Sequence, residues 1–311
     1  MNNLLGNKNS KVDIAQLISD CLDTNSMIST PLYEIQPDNI ELIQIPNSLM
    51  TRLQPRISKC LWKPNVGRRM SYLVVDNTNL LGTIFLGSPI MTISCRDKSI
   101  GLDKIEHSEK GKELRHYLDM NICVGIQPIS WYWNLGKLCA MLATTITSEY
   151  KIKYGDELKG IFTTSYWGKS TGPYNRIYKF LGYTKGISAV KVTDKEMNFI
   201  RETIKSKGYT LVYGKKPKST TERLFNVDKS ENKIFYVGIS SPKRNIVAFY
   251  NRLPGIKKFN MEHGNKRGVY FAPSVPTISR PDIIKEWYTR WGKPRFDRKK
   301  LETPPYKDGL S

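Results

Sequence analysis

The stretch Asp119 to Ile187 constrains this chain more than any other. Met120 to Ile126 is β-branched and apolar enough for a strand, and Gln127 to Gly136 reads as a loop of Pro, Trp, Asn and Gly. From Leu135 onward, Leu138, Leu142 and Ile146 recur at helical spacing. Gly160 to Tyr166 reads as a second apolar strand. A Gly/Ser-rich loop follows, then a short helix through Ile177 and Leu181, then a turn at Gly182. Strand, loop, helix, strand, loop, helix implies an α/β core. Loops at the carboxyl ends of such strands are where this kind of sheet binds ligands.

Charge limits the partners. The chain holds 49 Lys+Arg against 28 Asp+Glu, a net charge of +21. A surplus of that size points to a polyanion, with nucleic acid the first choice. The bland alternative is a Lys-rich solvated surface in a Lys-, Asn- and Ile-rich composition. With 39% hydrophobic residues in 311, a sizeable core can form. No run reaches the apolar length of a membrane span, and the start MNNLLGNKNSK lacks a signal-peptide core, so the expectation is a cytoplasmic protein without a membrane partner. The five cysteines (Cys21, Cys60, Cys95, Cys123, Cys139) form no CxxC pair, so neither a disulfide framework nor a metal site is indicated.

Along the chain, Lys11 to Asp23 can form an amphipathic helix. Glu41 to Ile45 reads as a strand, and Ser48 to Trp62 as a helical stretch broken by Pro55. Tyr72 to Asp76 and Leu81 to Leu86 suit a hairpin, and Ile90 to Cys95 a third strand. Residues 97–118 are charged and turn-rich. Thr193 to Glu196 has the capping-box pattern, with Met197, Ile200 and Ile204 on the apolar face of the helix it starts. Tyr209 to Tyr213, Lys233 to Ile239 and Gly268 to Phe271 read as strands, and Pro281 to Trp291 as a helix. After Gly292 a basic, mobile tail is expected.

Gly168-Lys169-Ser170 resembles the end of a P-loop, but Thr163 stands where the pattern needs glycine. Ser165, Gly168, Lys169, Ser170 and Gly172 still make a polar, cationic loop entering a helix, which suits phosphate or is an ordinary turn. Pro128 to Lys137 also leads into a helix. Its Trp131 and Trp133 are either core plugs or stacking platforms for a base. Tyr178 is a candidate proton donor or a packed helix tyrosine. His263, in a basic Gly-rich turn, is a surface residue or a nucleic-acid contact. The C-terminal Arg290, Arg295 and Arg298 combine with tryptophans, as a phosphate-neutralising cluster would. The alternative is a packed helix followed by a solvated tail.

Ser165, the following loop and Tyr174-Asn175-Arg176-Ile177-Tyr178-Lys179-Phe180-Leu181-Gly182-Tyr183 carry a resemblance. So do Leu81 to Leu86 and Cys95-Arg96-Asp97-Lys98-Ser99-Ile100-Gly101. Residues 70–190 resemble the acyl-CoA-dependent N-acetyltransferase (GNAT) superfamily, in the divergent branch holding the phage Mom DNA-modification protein and a domain of the Druantia defence system. The resemblance implies a mixed α+β fold: a GNAT-like central mixed sheet flanked by helices, with a basic C-terminal extension. The expected division is a helical arm over 1–30, the core over 31–190, an α/β extension over 191–291 and a tail over 292–311.

The resemblance further implies a DNA-modifying transferase, phage- or virus-encoded, that acts on a nucleobase amine with acetyl-CoA or a related acyl donor. Tyr178 would be the proton donor, with Ser165 and Lys169 beside it. Gln127, Asn134, Gly136 and Lys137 would hold the donor. Gly136 matches the family's pyrophosphate loop, whose flanking positions are here Trp133 and Leu138. Trp131, Trp133, Ser170, Arg176, His263, Arg267, Arg290, Arg295 and Arg298 would meet DNA. Two other readings stand beside this one: a non-catalytic nucleic-acid-binding protein on a decayed acetyltransferase scaffold, and an acyltransferase for a protein or small molecule.

Overall fold

The computed structural model describes residues 33–57, 67–77, 79–165, 169, 172–187, 192–214, 227–228, 233–237, 242–258, 266–274 and 279–302. The fold is mixed α/β and divides into two compact units, Met1–Thr184 with Gly268–Ser311, and Lys185–Arg267. The units break within the segment expected to extend from 191 to 291. Lys11 to Asp23, Cys60, Ser170 and His263 lie outside the described residues.

In the first unit the chain runs through β1 (Ile40–Ile45), α1 (Asn47–Ile57), β2 (Arg69–Asp76), β3 (Asn79–Gly87), α2 (Ser94–Ser99) and α3 (His107–Glu113). Then come β4 (Tyr117–Gly125), α4 (Ile129–Trp133), α5 (Leu135–Ala143), α6 (Thr147–Tyr154), β5 (Gly160–Ser165) and β6 (Lys179–Ile187). The second unit holds α7 (Asp194–Ser206), β7 (Thr210–Tyr213), β8 (Val227–Asp228), β9 (Ile234–Val237) and α8 (Pro242–Tyr250). Strand β10 (Lys266–Pro273) returns to the first sheet, and α9 (Arg280–Trp287) and α10 (Lys293–Lys299) follow, joined by a π-helical turn at Tyr288–Gly292.

Seven strands form a mixed sheet in the order β1-β2-β3-β4-β5-β10-β6. Pairs from β1 to β4 are antiparallel, as is β5 with β10, whereas β4 and β5 run parallel. The apolar residues of α5 (Leu138, Cys139, Leu142) are buried on one face with Leu118, Met120 and Ile161. Pro55 stays inside α1, and Leu53 is buried against Leu73 and Val75 of β2, so tertiary burial outweighs the missing backbone bond. In the second unit α7 and α8 bury Met197, Ile200, Ile204, Ile246 and Val247 with Phe235 and Val237 of β9. The capping box at Thr193 forms with both of its bonds.

Several local expectations are corrected. Ile90 to Cys95 is not a strand. It is a turn entering α2, held by the buried Arg96, whose guanidinium donates to the carbonyls of Ile90 (2.6 Å) and Met91 (3.1 Å). Gln127 to Gly136 is not a plain loop, because its apolar residues wind into α4. The segment through Ile177 is a run of turns that leads directly into β6. Residues 293–299 are helical, with Phe296 buried. Among the described residues, no helix is long and apolar enough to cross a membrane.

Candidate anion-binding crevice

The parallel pair sets the site. β4 and β5 are in register from Tyr117↔Gly160 to Met120↔Thr163 and no further. Beyond that point β4 stays paired with β3 and β5 with β10, so the sheet opens between them. A β-bulge leaves Asn121 of β4 without an opposite residue, since Leu86 pairs with Met120 and Phe85 with Ile122. Bulges of this kind bend a strand and gather near functional sites. The opening lies at the carboxyl ends of a parallel pair, where open α/β sheets place ligands.

Helix α5 starts at this opening. Asn134, in the left-handed region at φ 56°, separates α4 from α5. Gly125, which ends β4, allows the close approach. A Cβ there would sit 2.9 Å from the Gly136 nitrogen and 2.6 Å from Leu135 Cβ, closer than real contacts allow. The head of α5 then meets the turn after β5. The Cys123 thiol donates to Gly136 O (3.4 Å), and Lys137 Nζ donates to Asn175 O (2.8 Å). Thr163 Oγ1 donates to Met120 O across the point of parting (2.9 Å).

Lys137 is the residue on which the site depends. It is only 4% exposed, and among the described residues it makes no ion pair. Burial, and then the charges of Arg176 and Arg290, push its pKa from 10.5 down to about 8. Its ammonium lies 4.8 Å from the ring centre of Trp291, and the Arg290 guanidinium lies 4.8 Å from the same ring. Arg176, exposed at φ 68°, comes from the turn before Tyr178. Only Arg290 has a carboxylate, Glu286 one turn back at 3.0 Å. Three cations from distant parts of the chain, with one acid among them, leave a positive site at the head of a helix. An anion there is favoured by the cations and by the helix dipole together.

The other candidates are distributed unevenly. Tyr178 is buried, and its hydroxyl donates to Ala140 O inside α5 (3.0 Å). Burial pushes its pKa well up, so the phenol stays protonated. Ser165 is buried at the end of β5, opposite Gly268. Lys169 is exposed, its amine 5.9 Å from the Phe180 ring centre. Gln127 is exposed. Trp133 is fully buried, stacked on Phe296 at 4.4 Å and on Tyr288 at 5.8 Å, and its Nε1–H donates to Tyr33 O (2.9 Å). It is a core plug with no free face for a base. Trp131 is half-buried and meets Arg295 and Lys299 of α10. Arg298 is exposed on the same helix. Arg267 belongs to the second unit. That unit carries 19 Lys+Arg against 7 Asp+Glu, a surplus of 12 that makes up more than half of the chain's +21.

A separate buried cluster lies beside β4. Arg96 forks onto Asp97 (2.9 and 2.7 Å), Lys110 bonds to the same carboxylate (2.5 Å), and Asp119 accepts from the Ile90 N–H (3.2 Å). Burial raises the Asp119 pKa to about 6, with Arg96 opposing the rise. The Ile90–Asp119 bond ties this segment to β4, and the bonds onto Asp97 cross-link residues 96–110 among themselves, so the cluster acts as a clamp. The roles of Asp119 and Trp291 are not visible in local spacing, because each depends on partners far away in sequence.

Comparison with known proteins gives a family. The family model described as "Druantia protein DruA" matches residues 56–280. Druantia protein DruA of Escherichia coli (strain UMEA 4076-1) is 28% identical over 177 residues, covering 48% of this chain and 43% of that protein. The chain thus spans less than half the length of that curated relative. No solved structure matches.

Proposed function

We propose that this chain, which belongs to the Druantia protein DruA family, is a DNA-modifying transferase that moves an acyl group from an acyl-CoA-like donor to a nucleobase amine. The observation that carries this reading is the buried, acid-free Lys137 at the head of α5, with Arg176 and Arg290 beside it. The sheet supports a GNAT-like core, with one parallel pair that parts at a bulge and a helix starting from the gap. The resemblance to the Mom branch adds the acceptor, an exocyclic amine on DNA.

The residues fit a diphosphate-bearing donor. Lys137, Arg176 and Arg290 would hold its phosphates, since a dianion would neutralise the charge they leave exposed to one another. A bound acyl thioester supplies an electrophilic carbonyl: the amine nitrogen forms the new C–N bond, the C–S bond breaks, and the amine's proton is transferred to the departing thiolate. The chain's part is to bind, orient and exclude water. Tyr174 and Tyr178 pack against each other with ring centres 5.6 Å apart, and Tyr178 keeps its proton. A base must leave the duplex stack to reach such a site.

A second reading, a nucleic-acid-binding protein on the same scaffold, is favoured by one contact. The Tyr178 hydroxyl is committed to Ala140 O, so it must break that bond to serve a leaving group. Isothermal titration of the purified chain with coenzyme A separates the two. Binding that is lost in Lys137→Met supports the transferase. Tight, salt-sensitive DNA binding without any hold on coenzyme A supports the binding protein.

A further inference from the structure

The C-terminal helices close over the head of α5 and place two tryptophans beside cations along one helical stripe. Trp291 has both Lys137 and Arg290 at 4.8 Å from its ring centre. Trp131 of α4 has Lys299 at 4.7 Å and Arg295 at 5.8 Å from its ring centre. Trp291, Arg295 and Lys299 are spaced four residues apart, so they recur on one face. Each step is about 6 Å along the axis at 1.5 Å per residue. The π-helical turn at Tyr288–Gly292 shifts the register between α9 and α10, and such turns often mark functional positions. Gly292 permits the turn, because a Cβ there would come 3.0 Å from the Trp287 ring.

Packing holds this stripe in place. Arg295 Nε donates to Trp131 O (2.9 Å), and Tyr132 donates to Glu302 O (3.3 Å). The Arg295 fork makes no other hydrogen bond among the described residues. The buried Trp131 Nε1–H has no partner among them either.

From this arrangement we infer that the α9–α10 stripe, with Trp131, binds a short single-stranded DNA segment leading to the crevice. A nucleotide offers a π face for the indole and a phosphate that competes with Glu302 for Lys299 and with Glu286 for Arg290. Duplex DNA offers the phosphates but keeps its base faces stacked. An acidic peptide offers the charge without a ring to stack. The inference rests on the transferase reading for its acceptor, and it adds the strand state and the surface that holds it.

The test is fluorescence anisotropy of the full chain with a labelled single-stranded deoxyoligonucleotide and a hairpin duplex of the same composition. The single strand binds at least tenfold tighter, and Trp131→Leu or Lys299→Gln weakens it about tenfold while changing duplex binding little. Lys299→Gln replaces a partly buried ammonium that pairs with Glu302, and keeps the test informative if Trp131→Leu fails to fold. Equal affinity for the two forms overturns the inference, as does unchanged single-strand affinity in the folded variants or tighter binding of a ribo-oligomer. If modified nucleosides nevertheless accumulate in cells, the transferase reading survives that outcome. If the parent binds no DNA at all, both fall.

Discussion

Replacing Lys137 by methionine gives the site a quantitative test. The native ammonium is held at a pKa near 8 instead of 10.5. That shift corresponds to about 3 kcal/mol spent on keeping the group charged at pH 7. Solvent at the mouth of the crevice screens part of it, leaving about 1–2 kcal/mol. Methionine matches the aliphatic stem and removes this cost, but forfeits the bond to Asn175 O, worth about 1–2 kcal/mol. The two nearly cancel, so the variant is as stable as the parent at pH 7 to within about 1 kcal/mol. The pH dependence differs. A lysine whose folded pKa is lowered is protonated more readily in the unfolded chain between about 8 and 10.5. Parent stability therefore rises relative to the variant as pH climbs through that window. Urea unfolding at pH 7 and pH 10 reads the difference directly. Binding of inorganic pyrophosphate by the parent at pH 8.5 takes up a proton, seen as buffer-dependent heat, and weakens at least tenfold in the variant. A variant more than 2 kcal/mol less stable at pH 7, or a parent-minus-variant difference flat with pH, would refute the picture of a charge held without an acid.

Three further changes test the surroundings. Asp119 has its folded pKa raised from 3.8 to about 6, so its contribution of about 3 kcal/mol is full below pH 4 and is lost as pH rises through 6. Asp119→Asn keeps an acceptor for Ile90 and should flatten the variant's own curve, so that the parent-minus-variant difference falls by about 3 kcal/mol as pH rises from about 4 to about 6; an identical slope in both proteins counts against the burial argument. Trp133→Ala removes a fully buried ring and should cost about 3–5 kcal/mol, whereas Trp131→Ala should cost no more than about 1.5 kcal/mol; equal losses in thermal melts would contradict the core-and-surface assignment. Gly125→Ala pushes a methyl toward the Gly136 nitrogen and should cost about 1–3 kcal/mol while weakening pyrophosphate binding. A variant with parental stability and affinity would show that the approach of β4 to α5 is looser than described.

What the sequence made legible was local. The β-branched runs around Met120 and Phe162, the apolar spacing of Leu138 and Leu142, and the Thr193–Glu196 capping box each depend on residues within a few positions, and each forms. Gly136 and Lys137 stand out through the resemblance of Pro128 to Lys137 to a pyrophosphate-binding loop, and both lie in the first turn of α5. What could not be read was long-range. Nothing near residue 268 announces that β10 pairs with β5 more than 100 positions earlier. Nor does the basic run after Gly292 show that Phe296 will stack on Trp133. Ile90 to Cys95 has the composition of a strand, but the buried Arg96 takes up its carbonyls and bends it into a turn. Trp131 and Trp133 look alike in sequence, and helical geometry alone sends one to the core and the other to the edge.

The most direct test of the central claim is mass spectrometry of nucleosides from DNA of cells expressing the full chain, beside cells expressing Lys137→Met at equal level. The account predicts an added acyl mass on one nucleoside in the first sample and its loss in the second. DNA unchanged in both, from cells holding folded protein, would contradict it.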